Sequence, residues 1–187
     1  TGASGNSNSN NVGVGKDALL VVTTGSYNAV LGQGAGKAVT DGHNNVAIGN
    51  QALMTSTSVG ICVAIGDDAM KNGNVTADAD GTVAVGGSSL YALTEGQYNT
   101  AVGYRSLNAN QTGDGCTALG HDSLLLSTGN DNTAMGRNSL ASNTSGASNT
   151  GLGIWAGFGN ATGSGNTYVG SSAGRGTANQ NNNENVA

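Results

Sequence analysis

Bulky and charged side chains are scarce in this sequence. There is one Trp, one Phe and no Pro, and only 4% of the 187 residues are aromatic and 9% charged. A thick globular core needs large side chains to fill it at native density, so a compact globule of ordinary composition is excluded. Basic residues are few as well, six Lys and Arg against eleven Asp and Glu. No basic patch is present to neutralise phosphates, and nucleic acid is not an expected partner. The apolar runs are all far too short to span a bilayer, so membrane insertion is not expected. Disorder fits no better. Disordered chains pair low hydrophobicity with high net charge, whereas here 36% of residues are apolar and the net charge is only -5. The chain does not begin with Met, and its numbering is read as starting inside a longer protein.

What is abundant is Gly, 33 of it, with Ala, Ser, Thr and Asn. These residues suit a thin core and tight turns. They are also periodic. A Gly preceded by an aliphatic residue recurs at 15, 32, 49, 66, 86, 103, 120, 136, 153 and 170; seven of the nine spacings are 17, and the others are 20 and 16. Positions below are counted from this anchor. Position -1 is aliphatic in all ten repeats, +3 is Ala or Ser in all ten, and +4 is Leu or Met except for Gly36, Gly157 and Gly174. Position -4 is Asn in seven repeats, with Cys62, Thr82 and Cys116 in the others. A second Gly recurs at -7 in seven repeats, from Gly25 to Gly163.

Residues -4 to -1 alternate in the manner of a strand, with -3 and -1 on one face. A second short strand is expected over +2 to +4, with Gly, Asn and Asp at the bends between. A repeat of 17 is too short for two packed helices and long enough for one turn of a solenoid. The expected fold class is therefore all-β: a parallel β-solenoid (β-roll) of about ten 17-residue coils, on the order of 50 Å long at ~4.8 Å per coil. Residues 1–10 read as a lead-in and 11–187 as one continuous repeat domain. The last residues, Asn185-Val186-Ala187, match the start of an eleventh repeat, as in a fragment of a longer fibre. The column Asn28, Asn45, Asn99, Asn132, Asn149 and Asn166 is expected to form a side-chain ladder along the axis. The aliphatic -1 residues are expected to fill the interior. The small -2 residues, mostly Ala, would then point outward as a smooth stripe for packing in a parallel homotrimer.

The motif Asn-Thr-Ala-aliphatic-Gly-x-x-Ser/Ala-Leu, best seen at Asn99 to Leu107, resembles the repeats of bacteriophage tail fibres and tail-spike shafts. It is also similar to the β-roll heads of trimeric autotransporter adhesins. The resemblance covers roughly residues 11 to 187. It implies an extended trimeric fibre concerned with attachment to a cell surface: a virion tail fibre, extracellular, or alternatively an adhesin on a bacterial cell surface.

No catalytic machinery is expected, because a smooth solenoid offers no cleft for the paired carboxylates of a glycosidase. No cofactor or metal is expected either. Cys62 and Cys116 lie three coils apart, ~14 Å by strand spacing, beyond disulfide reach, and read as free replacements of the ladder Asn. Asp78-Ala79-Asp80-Gly81 has a trace of calcium-loop chemistry without the full ligand pattern. Thr100, Thr117, Thr133, Thr150 and Thr167 share the face of the -1 aliphatics. A packed β-branched strand face is the primary reading of that column, and an ice- or surface-binding array the alternative. Tyr104, Arg105, His121, Arg137 and Trp155 fall in the variable columns +1 and +2. Exposed aromatics beside polar groups there suit a receptor, either a host cell-surface glycan or a protein. The glycosylation sequons at Asn74, Asn110, Asn143 and Asn160 are expected by chance in so Asn- and Thr-rich a chain.

Overall fold

A computed structural model describes residues 10–73, 75 and 79–176. The lead-in before residue 10, the Asn185-Val186-Ala187 end, the Asn74 sequon and Asp78 lie outside the described residues. Ten three-residue strands form one parallel sheet in chain order: β1 Val12–Val14, β2 Ala29–Leu31, β3 Val46–Ile48, β4 Val63–Ile65, β5 Val83–Val85, β6 Thr100–Val102, β7 Thr117–Leu119, β8 Thr133–Met135, β9 Thr150–Leu152 and β10 Thr167–Val169. The protein is a β-solenoid. Every strand pairs with the next in the register of the repeat, so Ala84 faces Ala101 and Ala101 faces Ala118. The 20-residue repeat is absorbed in the loop before β5, where Val63 still pairs with Val83. The 16-residue repeat is absorbed before β8, where Thr117 pairs with Thr133.

The anchor Gly sets the step between coils. All ten anchors have φ between 122° and 142°, a region essentially reserved for Gly. Space forbids a side chain as well. A Cβ on Gly103 would lie 2.5 Å from the carbonyl oxygen of Gly120, and one on Gly136 would lie 2.6 Å from that of Gly153. The same close approach recurs at the second Gly, where a Cβ on Gly42 would lie 2.5 Å from the Val59 oxygen.

The expected second strand at +2 to +4 does not form. Positions +2 and +4 are left-handed instead, as in Arg105 (φ 52°), Leu107 (φ 50°), Asp122 (φ 57°) and Leu124 (φ 50°). The sign of φ alternates with +3, which curls the chain round the corner. Inter-coil bonding nevertheless continues: the Arg105 N–H donates to Gly87 O and the Leu107 N–H to Ser123 O, both at 3.0 Å. A left-handed Leu costs about 1–2 kcal/mol, while burying its side chain contributes about 1.5–3 kcal/mol. Burial therefore carries the position.

The interior is the reverse of the expected one. The small residues at -2, Ala47, Ala64, Ala84, Ala101, Ala118 and Ala134, have no exposed surface, and neither do the +4 residues Leu53, Met70, Leu90, Leu107, Leu124 and Leu140. The -1 aliphatics face out, with Leu31, Leu119, Met135 and Val169 between 42% and 58% exposed. The Thr column lies on this outer face too, half-buried except for exposed Thr100, so it does not pack into the interior. The cause is the narrow cross-section. With a +4 Leu reaching across the coil, the facing strand position has room for Ala and no more. In two of the three coils where +4 is Gly, a larger -2 residue takes the space; in the third, which has Gly151 at -2 and Gly157 at +4, the ring of Tyr168 from the next coil takes it. Val30 is the -2 residue of the coil containing Gly36, and a Cβ there would lie 3.5 Å from Val30 Cγ2. Tyr168, 3% exposed, fills the space beside Gly174 and Gly157.

A buried polar rail runs beside this core. The Asn28 N–H and Nδ2 both donate to Asn11 Oδ1, at 2.9 and 3.0 Å, and Nδ2 also donates to Gly42 O at 2.8 Å. Asn45 repeats the pattern on Asn28, Asn149 on Asn132, and Asn166 on Asn149. Asn99 donates to Gly113 O at 2.7 Å and accepts from the Cys116 N–H. Both Cys residues are free and buried. Burial pushes each thiol up to about 11, chiefly by desolvation. The Cys116 thiol donates to Gly129 O at 3.2 Å, as an Asn amide would, but it offers no carbonyl to the next coil. A second rail, missed in the sequence, runs through +7. Asn110, Asn143 and Asn160 are at most 1% exposed, and their Nδ2 groups donate to the carbonyls of Gly113, Gly146 and Gly163. Three of the sequons are thus structural amides with no surface on which to carry a glycan.

Substitutions at two positions test these constraints. Gly103→Ala is expected to cost about 2–6 kcal/mol, the sum of backbone strain and overpacking terms of ~1–3 kcal/mol each, read as a fall in the denaturation midpoint. Cys116→Asn is expected to stabilise the chain by about 1 kcal/mol by giving the Asn132 N–H an amide oxygen, whereas Cys116→Ala lowers the midpoint.

Candidate functional site: an arginine–aromatic edge beside an aliphatic face

Two surfaces follow from this architecture. The first is the flat outer face of the sheet, two residues wide, made by -3 and -1. Position -1 gives it an aliphatic row from Val14 to Val169 along the whole stack. Position -3 is Val12, Ala29, Val46, Val63 and Val83 in the first five coils and Thr in the last five.

The second surface is the edge next to that face. The chain leaves the strand at the anchor Gly and turns left-handed at +2, which brings the side chains of +1 and +2 onto this edge in register. The five residues singled out in the sequence lie on this edge and divide into two clusters. Tyr104, Arg105 and His121 gather round Asp122. The Tyr104 and His121 rings are 5.4 Å apart between centroids and tilted by 34°. Arg105 lies over the Tyr104 ring at 5.3 Å. It also donates both Nε and Nη2 to the Asp122 carboxylate, at 2.8 and 2.7 Å. His121 Nδ1 is 3.1 Å from the same carboxylate. That carboxylate raises the Arg105 pKa further above its usual range, chiefly by hydrogen bonding. The charge of Arg105 is therefore already spent within the protein. Asp122, whose side chain is only 8% exposed, organises the cluster. Its position two residues after an anchor was the only sign of this in the sequence.

The second cluster is centred on Trp155, the single Trp of the chain. Arg137, from the preceding coil, lies 6.0 Å from the ring centroid, and Arg175, from the following coil, 4.7 Å. Phe158 packs edge-on against the indole with centroids 4.7 Å apart. Backbone bonds fix the ring: the Trp155 N–H donates to Arg137 O at 3.0 Å and the Phe158 N–H to Trp155 O at 3.2 Å. Phe158 and Arg175 were not anticipated as partners, since both fall outside the two variable columns. Arg105 and Arg137 stand on this edge and Arg175 reaches it from +5 by its contact with Trp155, while all three lysines lie in the first half.

Elsewhere the acidic groups serve the scaffold. Asp80 accepts from the Gly60 N–H at 2.7 Å. Among the described residues no three His, Cys, Asp or Glu converge to hold a metal, and no helix is long and apolar enough to cross a membrane. No known protein family matches the chain, and no curated protein or solved structure is significantly similar to it.

Proposed function

We propose that the chain is a segment of a structural fibre. In this reading it assembles through its outer aliphatic face into a parallel homotrimer and holds or forms a surface for attachment to a host cell. The observation that carries the reading is the unbroken row of outward-facing -1 aliphatics, six of them exposed and Ile65, Val85, Val102 and Leu152 half-buried. A continuous apolar strip along one face of a rod is an interaction surface, and a fold that buries Ala while exposing Leu, Ile, Met and Val has a partner for those residues. Three narrow strips meeting on a common axis would bury one another along their full length, and identical coils in parallel would place like residues level with like. The repeat's resemblance to tail-fibre shafts and adhesin heads supports the trimer and the extracellular setting, on a virion or alternatively on a bacterial surface. No catalytic role, cofactor or nucleic-acid partner is part of the proposal.

A second reading has an observation of its own. Thr100, Thr117, Thr133, Thr150 and Thr167 stand in register on the flat outer face, as an ice- or surface-binding array requires. That reading needs a free face. A one-chain mass together with thermal hysteresis would favour it over the fibre.

Light scattering decides the proposal. The expected mass is three times the 18.2 kDa chain. Leu119→Lys with Met135→Lys, on adjacent strands of the face, is expected to give one-chain mass with an unchanged β-type circular dichroism signal. A wild-type monomer would overturn the fibre reading.

A further inference from the structure

We propose that Arg137, Trp155 and Arg175 form a binding site for an acidic saccharide, in which the two guanidiniums take the sugar carboxylates and the indole lies against the ring. Acidic residues outnumber basic ones eleven to six, and Arg105, on the same edge, is fully engaged by Asp122. Arg137 and Arg175 are both exposed, yet among the described residues no carboxylate pairs with either. They converge on one aromatic ring from the coils on either side of it, at 6.0 and 4.7 Å. Their hydrogen-bond donors are left to an outside acceptor, and a guanidinium fork matches the geometry of a carboxylate.

The neighbourhood narrows the ligand class. Two uncommitted cations at one site of a chain of net charge -5 are too few for a nucleic acid, which is held through many phosphates. An acidic sugar needs few charges and an aromatic surface, because its ring has an apolar face that packs on indole. Phe158 and the backbone bonds hold that surface in place, so little order has to be gained on binding. The edge continues through His121 to Tyr104, which is 52% exposed. Tyr104 and Trp155 stand three coils apart, about 14 Å at ~4.8 Å per step, enough for a short oligomer to lie along the stack. Both arginines are exposed and Trp155 is half-buried, so only part of the indole meets the sugar and each copy binds weakly, with Kd on the order of millimolar. In a homotrimer three copies would add by avidity. The site itself does not rest on the fibre reading.

Trp155 is its own reporter, being the only Trp. Its fluorescence is titrated with a uronic-acid oligosaccharide, with a neutral glucan oligomer of the same length, and with sodium acetate at the same carboxylate concentration. The oligouronate alone is expected to give a saturable change. Arg137→Ala with Arg175→Ala should weaken it about tenfold or more, and Lys37→Ala, which removes one positive charge elsewhere, should leave it unchanged. Light scattering on the same samples shows whether assembly is preserved, so loss of the trimer with retained sugar response would sink the fibre reading alone. Three results would overturn the site: no response to the oligouronate, an equal response to the neutral glucan, or full retention by the double variant. An equal response to acetate would reduce it to a simple anion site and overturn the saccharide assignment.

Discussion

Stacked glycines with no room between them set the geometry of this protein. At every anchor from Gly15 to Gly153 the backbone of one coil lies against the carbonyl of the next, close enough that a Cβ on Gly103 would stand 2.5 Å from Gly120 O. Because the constraint repeats in every coil, all coils stack at one spacing and in one register. The other regularities depend on that spacing. The Asn ladder works only if each Oδ1 arrives within hydrogen-bond distance of both the N–H and the Nδ2 of the next Asn. The paired bonds of 3.0 and 3.1 Å from Asn149 to Asn132, and of 3.0 Å from Asn166 to Asn149, show that it does.

A fixed spacing also fixes a small cross-section, and this determines what is inside. The interior of one coil holds roughly one Leu and one Ala, and a change in one is met by a change in the other. Val30 accompanies Gly36, and Tyr168 accompanies Gly174. Larger aliphatics at -1 then have nowhere to go but out. The outer aliphatic face is thus a consequence of the packing limit: once the +4 Leu or Met and the -2 Ala fill a coil, the -1 aliphatics are left outside in a row.

The repeat, the single sheet and the polar rail were legible in the sequence because each is a matter of identity at a fixed period. Which strand face turns inward was not. Alternation shows that -1 and -2 are opposite, but both columns are apolar, and hydrophobicity alone favours burying the larger. The informative signal was the exchange of Leu for Gly at +4 alongside Ala for Val or Tyr at -2 in two of the three coils with Gly at +4, which reveals two positions sharing one volume; in the third, with Gly151 and Gly157, the volume is filled from the next coil by Tyr168. The left-handed corner was hidden for a similar reason. Leu is not a residue that announces positive φ, though Gly34 at +2 and Gly36, Gly157 and Gly174 at +4 mark the positions where the backbone is left-handed. Of the edge, the five residues were found by their columns. Their partition into a neutralised cluster on Asp122 and an uncommitted one on Trp155 depends on contacts across coils, including Arg175, that no single column displays.

The account makes interior volume per coil the controlling quantity, and a double-mutant cycle on one coil measures it directly. Ala101→Val and Leu107→Gly occupy the places that Val30 and Gly36 hold naturally. Each alone is expected to destabilise the chain, the first by crowding and the second by leaving a void. Together they should recover stability, with a favourable coupling of about 1 kcal/mol or more. Strict additivity of the two effects, or a neutral Ala101→Val, would mean that position 101 does not share the interior with Leu107, and the inside-out arrangement of this solenoid would be wrong.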